Sequence, residues 1–165
     1  MLRLAPLVLV VAAAGCGSAA SKIVVFPQPG KHGACRAQQL GVFANAQGGG
    51  GAMVGAFQLR NEGLEACSLR GRPDLAMLDR AGKALPVRVL PARAVAVRLR
   101  PQAAAEVRFQ WRNWCRLSFP ATVTMRLRLP NGGGTVRVRA QTGRPGCEAP
   151  DRPSTLAIGP FASGS

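Results

Sequence analysis

Apolar and polar residues alternate with a period of two along most of the chain. Val87 and Val89 flank an arginine, Val97 and Leu99 are each followed by one, and the stretch 107–111 alternates in the same way. A half-buried strand has this pattern because successive side chains point to opposite faces of a sheet. Glycines and prolines divide the apolar runs, and no long amphipathic helix is evident. The pattern predicts an antiparallel all-β domain with the architecture of an immunoglobulin-like sandwich.

The clearest hairpin runs from Thr122 to Arg139. Asn131 and Gly132 can adopt the two positive φ angles of a type I′ turn. The register that follows pairs Leu129 with Gly134, Leu127 with Val136 and Met125 with Val138. A slip of one residue would place apolar side chains opposite arginine, so the pattern itself selects this pairing.

A second hairpin is predicted near the start of the domain. Its strands are residues 38–46 and 52–61, and the glycine-rich segment Gln47 to Gly51 joins them. Continued outward, this pairing places Cys35 opposite Gly63, a few residues before Cys67.

Four cysteines lie within the predicted domain: Cys35, Cys67, Cys115 and Cys147. An even number of cysteines in an exported protein suggests two disulfides. Continuing the hairpin of residues 122–139 outward places Cys115 opposite Glu148, next to Cys147, and the other hairpin suggests the pair Cys35–Cys67 less directly. Each bond would contribute roughly 3 to 4 kcal/mol. A free thiol at Cys115 is the alternative; with the disulfide, we expect Trp111 on the buried face of its strand and Trp114 over the bond.

The N-terminus predicts export. Arg3 precedes an apolar run from Leu4 to Ala14, which is too short to span a bilayer. The end of that run, Ala-Ala-Gly-Cys, resembles a bacterial lipobox with Cys16 as the lipidated residue. Simple secretion and a coincidental apolar start are the alternatives. The predicted organisation has four parts: a signal peptide (1–15), a lipidated cysteine with a flexible tether (16–34), a β-sandwich (35–161) and a tail (162–165). Within the tether, Ile23 to Phe26 is a candidate short edge strand.

The net charge of +15 comes from 22 basic and seven acidic residues. Most of the basic residues are arginine, which either composition bias or an anionic partner would explain. In the register given above, Arg126 lies opposite Arg137, and like charges directly opposite are unfavourable. With Arg128 and Arg139 they form an outward face that could contact an anionic envelope polymer or lipid headgroups. The alternative is a solvated, salt-screened face.

Few residues suggest catalysis or metal binding. His32 is the only histidine and lies in the predicted tether, and no C-x-x-C spacing occurs. The glycine runs fall in hairpin turns without a following helix, which a phosphate-binding loop requires. We therefore expect no catalytic residue, no metal site and no cofactor. Specific nucleic-acid binding is not expected either, because the arginine face carries no aromatic residues for base stacking.

From Gly55 the chain reads GAFQLRNEGLEACSLRGRPDLAMLDRAG, with Asn61 ending one predicted strand and Gly71 and Pro73 preceding the next. This order, the later W-x-x-x-C of residues 111–115, the lone Cys147 and the terminal Pro160-Phe161 resemble the domain of unknown function 4232 family of actinobacterial secreted proteins and lipoproteins. The likeness covers about residues 35–161. It implies a secreted β-sandwich held by disulfides, with no established activity. The residues can also be explained structurally: Asn61 and Gly63 for left-handed backbone, Pro73 before a strand, and Asp79 to Gly82 for a hairpin turn.

Three functions are compatible with this sequence. The first is a non-catalytic, lipid-anchored module on the outer face of the cell membrane that binds an anionic envelope component. The second is a ligand-sensing or accessory domain for another envelope protein, with a pocket near Trp114. An enzyme is the third and least supported.

Overall fold

Eleven β-strands and one 3₁₀ helix make up the described part of the chain. A computed structural model describes residues 33–49, 51–116, 118–120, 122–140 and 143–164. The predicted signal peptide, Cys16, the strand Ile23 to Phe26 and His32 lie outside these residues. The elements in chain order are the 3₁₀ helix Ala37–Gln39 and the strands β1 (Leu40–Gly49), β2 (Ala52–Asn61), β3 (Cys67–Gly71), β4 (Asp74–Leu78), β5 (Arg88–Leu90), β6 (Val95–Leu99), β7 (Ala104–Arg112), β8 (Val123–Arg128), β9 (Thr135–Ala140), β10 (Thr155–Ile158) and β11 (Ala162–Ser163).

The strands form three hydrogen-bonded groups. The first sheet has the order β1-β2-β7-β10-β5, with β11 also paired to β7. The second sheet has the order β4-β8-β9, and β3 pairs with β6 in a separate two-stranded ladder. The prediction of an all-β fold is thus confirmed. One strand pair departs from the antiparallel expectation: β5 and β10 run parallel. A short hairpin cannot join parallel strands, and these two are accordingly far apart in sequence.

One apolar core lies between the inner faces of these groups. The first sheet contributes Phe57 and Trp111, the second contributes Met125 and Leu127, and the ladder contributes Leu69, all of them buried. Burying a side chain of this size contributes roughly 1.5 to 3 kcal/mol. The inward side chains of β7, Val107, Phe109 and Trp111, are those that the alternating pattern predicts, and the packing is sandwich-like. The half-buried strand predicted at Val87 and Val89 is not found, because β5 is a three-residue edge strand with all its residues exposed.

The hairpin of β8 and β9 has the predicted register. Leu127 pairs with Val136 and Met125 with Val138. Asn131 and Gly132 have φ angles of 53° and 72°, and the Gly133 amide donates to the Pro130 carbonyl at 3.1 Å. Positive φ at both central residues is the signature of the type I′ turn, whose twist matches that of the strands.

The hairpin of β1 and β2 has a different register from the predicted one. Gly49 pairs with Ala52 and Leu40 with Asn61, so only two residues separate the strands and β1 includes part of the predicted turn. Every pair is shifted by three residues from the expected register. A two-residue connection with a positive φ matches the twist of the two strands, and Gly51 has a φ of 80°. The five-residue loop that the glycine content suggested is therefore not formed.

Both expected disulfides, Cys35–Cys67 and Cys115–Cys147, are present, with Cα atoms 4.8 Å and 4.6 Å apart. The route to the first differs from the predicted one. The 3₁₀ helix precedes β1, and Ala34 forms a parallel bridge with Ser68, so Cys35 reaches Cys67 from the side of β3 and not by extension of the first hairpin.

Asn61 acts through its side chain and not through a left-handed backbone. Neither Asn61 nor Gly63 has a positive φ, which corrects the role expected for them. The Asn61 side chain is fully buried; it donates to the carbonyls of Glu65 at 2.7 Å and Leu99 at 3.2 Å, and accepts from the Gly63 amide at 3.0 Å. One amide therefore ties the end of β2 to the following loop and to β6.

We expect Asn61→Ala to lower the free energy of unfolding by about 2 to 4 kcal/mol, because buried partners lose their hydrogen bonds. Asn45→Ala is the matched control, since Asn45 is exposed and accepts one bond from the Ala56 amide. Urea unfolding with the disulfides intact measures both. Equal, small shifts of the midpoint for the two variants would contradict a role for the buried amide.

Candidate anion-contact face

The second sheet presents an outward row of arginines. We call the outward side chains Arg126, Arg128, Arg137 and Arg139 the basic face. In β8 the inward residues Val123, Met125 and Leu127 are buried, in β9 Val136 is buried and Val138 half-buried, and the pleat turns the alternate positions outward. Arg126 pairs directly with Arg137 across the ladder, as the sequence predicted.

The basic face carries little compensating negative charge. Arg128 lies 3.8 Å from the Asp74 carboxylate, and both side chains are more than half exposed. Across the described residues the only other salt bridge joins Arg108 to Glu106, on the first sheet. Arg126 is half-buried and lies between Ala76 of β4 and Arg137 of β9. Within the described ranges, the centre of the basic face is therefore a pair of opposed guanidinium-bearing side chains with no carboxylate in salt-bridge contact.

A cluster of aromatic rings lies at the end of β7. Trp111 and Trp114 meet edge to face with ring centroids 5.3 Å apart, and Phe119 packs on both. Trp111 is buried, as predicted, and its indole N–H donates to the Ser154 hydroxyl at 2.7 Å. The Trp114 indole N–H donates to the Ser118 carbonyl at 3.0 Å. Both rings thus have satisfied polar atoms, which favours a structural role.

A cleft of about 320 Å³ opens beside this cluster. Its walls include Trp114, Cys115, Pro153 and two arginines, Arg116 and Arg152, and no acidic side chain lines it. This is the place where the second functional hypothesis expects a ligand pocket.

Asn113 organises the loop beside the cleft, a role that the sequence analysis missed. Its side-chain oxygen accepts from the amides of Glu148 at 2.9 Å and Ala149 at 2.8 Å. Its amide nitrogen donates to the carbonyls of Ala149 and Arg152, both at 2.8 Å. The backbone of Asn113 has φ 59°. An asparagine directly after a strand is a weak signal for such a residue, because asparagine tolerates left-handed backbone and can mimic peptide groups.

No cluster of three or more metal-ligating side chains occurs among the residues that the structure describes. Within the same residues, no helix has the length and apolarity needed to cross a membrane. The two disulfides indicate an oxidising, extracytoplasmic compartment.

The fold and the two disulfides define the class of protein: a disulfide-bonded all-β domain with a sandwich-like core. A family model described as "Domain of unknown function (DUF4232)" matches residues 35–162. The match covers more than half of the 165 residues, so the chain belongs to this family, and the resemblance noted in the sequence is confirmed. No curated protein and no solved structure matches the chain.

Asn113→Gly tests the loop, because glycine keeps the positive φ and removes only the side chain. We expect the free energy of unfolding to fall by about 2 to 4 kcal/mol, since four buried or half-buried peptide groups lose a partner. Limited proteolysis should then cleave within residues 148–153. Asn131→Gly, at a position of similar φ in the exposed turn of β8 and β9, is the control. Comparable stability of both variants would contradict the organising role of Asn113.

Proposed function

We propose that this protein is a non-catalytic module of the cell envelope, lipid-anchored through Cys16 to the outer face of an actinobacterial membrane. In this proposal the described domain is an immunoglobulin-like sandwich held away from the bilayer by the tether of residues 16–34. The lipobox-like end of the N-terminal apolar run supports the anchor, and the disulfides support export.

The basic face is the proposed contact with an anionic envelope polymer or with lipid headgroups. The observation that carries this proposal is the direct pairing of Arg126, on the central strand β8 of the second sheet, with Arg137 on its edge strand β9. Like charges opposite one another cost stability, and a bound phosphate or carboxylate would reverse that cost, since guanidinium groups bind such groups with paired hydrogen bonds. The net charge of +15 also attracts an anionic polymer or anionic headgroups over a longer range.

The second candidate is an accessory or ligand-sensing domain that uses the cleft beside Trp114. The presence of this cleft, with Arg116 and Arg152 in its walls, is what favours it. Salt separates the two candidates: a contact through exposed charges weakens as the Debye length falls, whereas a packed protein partner remains bound.

The basic face is tested with the chain in which Cys16→Ser removes the proposed lipid, sedimented with isolated envelopes. We expect Arg126→Gln with Arg137→Gln and Arg139→Gln to reduce binding about tenfold at low salt, at roughly 0.5 kcal/mol for each exposed contact. The control combines Arg80→Gln, Arg93→Gln and Arg100→Gln, three exposed arginines outside this face, and has the same net charge. Equal losses in both variants would mean that total charge, and not the basic face, governs binding.

The anchor is tested by the mass of the exported protein. We expect mature protein that begins at Cys16 and carries added acyl chains, and we expect Cys16→Ser to abolish that addition and to release the protein from membranes. Export without any lipid on Cys16 would contradict the anchor and leave simple secretion.

A further inference from the structure

The outer face of the first sheet carries exposed side chains along β1 and β2. The strand register places alternate residues of β1, β2 and β7 on this face, among them Phe43, Asn45, Ala56 and Arg108. Phe43 is 63% exposed and Val54 is 47% exposed, which is unusual for large apolar side chains on a sheet. The apolar side chains of the opposite, inner face form the core.

Two hollows on this face adjoin each other. One, of about 340 Å³, lies over β1 and β2, and Asn45 of β1 and Ala56 of β2 are among the residues that line it. The other, of about 450 Å³, lies over Gly159 and Ala162. Both reach Glu106 and Arg108 of β7. We call these two hollows together the transverse groove.

The floor of the transverse groove is low at Ala56 and at Gly159, which are small, and the Arg108 side chain, 83% exposed, stands between them. Ala56 pairs with Asn45 on one side and with Arg108 on the other, and the Gly159 amide donates to the Arg108 carbonyl at 2.8 Å. The neighbouring rows are taller, since Phe43 pairs with Gln58, and Gln47 with Val54. A flat, extended chain could therefore approach the backbone between these rows.

The side chains around the transverse groove suit hydroxyl and carboxylate groups. Four amide side chains lie on this face: Asn45, Gln47, Gln58 and Gln110. Each amide carries both a hydrogen-bond donor and an acceptor, as a ligand rich in hydroxyl groups requires. The outer face of the first sheet carries four arginines, Arg60, Arg88, Arg108 and Arg112, against two acids, Glu106 of β7 and Glu62, whose carboxylate lies over Gly41 of β1. Glu106 pairs with Arg108, and this contact raises the pKa of the Arg108 guanidinium, mainly through their hydrogen bond. The face therefore keeps a net positive charge.

We propose that the transverse groove binds an extended acidic glycan chain. Its sugar rings lie over Ala56 and Gly159 with Phe43 and Val54 beside them, its hydroxyls meet the amide side chains, and its carboxylates meet the arginines. This site belongs to the other sheet from the basic face and does not depend on the function proposed for that face. A single exposed aromatic ring and four amides fit a glycan better than a nucleic acid, which would need several rings for base stacking.

The test measures binding of the purified chain to polygalacturonate by calorimetry, with dextran as the neutral glycan and polyglutamate as the acidic non-sugar polymer. We expect binding to polygalacturonate, at least tenfold weaker binding to each of the other two polymers, and partial loss as salt rises. Binding to polyglutamate as tight as to polygalacturonate would mean that charge alone acts and would overturn the glycan. Absence of binding to polygalacturonate would also overturn the proposal.

Matched variants locate the site. Ala56→Gln fills the floor and Arg108→Gln removes a groove charge, and each should weaken polygalacturonate binding at least fivefold. Ala81→Gln and Arg80→Gln make the same changes in the exposed turn after β4 and should leave binding unchanged. Thermal unfolding checks that all four variants fold, and Gln47→Ala, which removes an amide from the wall of the groove, replaces Arg108→Gln if that variant does not. Binding that survives the groove variants but is lost when Arg126, Arg137 and Arg139 are all changed to glutamine would place the ligand on the basic face and overturn this inference.

Discussion

The structure depends on one constraint, which is that both sheets must bury their apolar faces against each other. Alternation along each strand then forces every second residue outward. In this chain those outward residues include many arginines, whereas the whole sequence offers only seven acids. Burial of residues such as Met125 and Leu127 therefore also places Arg126 beside Arg137. The core and the charged surface are two consequences of the same strand register, so neither can change alone.

The two ends of the domain are held by covalent and polar contacts in combination. At one end the Cys35–Cys67 bond lies beside the buried Asn61, whose amide joins β2, its loop and β6. At the other end the Cys115–Cys147 bond lies beside Asn113, whose amide holds residues 148–152. In both places an asparagine side chain bonds to peptide groups of the neighbouring loop. Such loops would otherwise leave buried polar groups unsatisfied, at a cost of about 1 to 3 kcal/mol each.

The outward faces of the two sheets differ in kind. The basic face is a flat row in which charge dominates and small residues are few. The face of the first sheet combines small residues, amides, exposed apolar side chains and arginines, and its surface is hollowed. A flat charged row suits partners that are recognised by charge, whereas a hollow with mixed chemistry suits a partner of defined shape. For this reason we assign the two faces separate partners and do not treat the arginine content as a single feature.

Some features of the described domain could be predicted from the sequence alone, and others could not. Period-two alternation and the Asn131-Gly132 turn sufficed for the all-β class, the register of β8 and β9 and the opposed arginines, because these depend on neighbours joined by a short turn. The Cys115–Cys147 disulfide followed from extending the same hairpin, whereas Cys35–Cys67 was predicted from a register of β1 and β2 that the structure does not have. Only the tertiary structure decided the register of β1 and β2, the parallel pairing of β5 with β10, the roles of Asn61 and Asn113, and the transverse groove. Most of these depend on contacts between segments distant in sequence, such as Asn61 with Leu99, and a local pattern contains no information about which distant backbone groups will need a partner. The register of β1 and β2 is the exception: the glycine run 48–51 allows more than one turn, and the sequence does not show which of its residues form the connection.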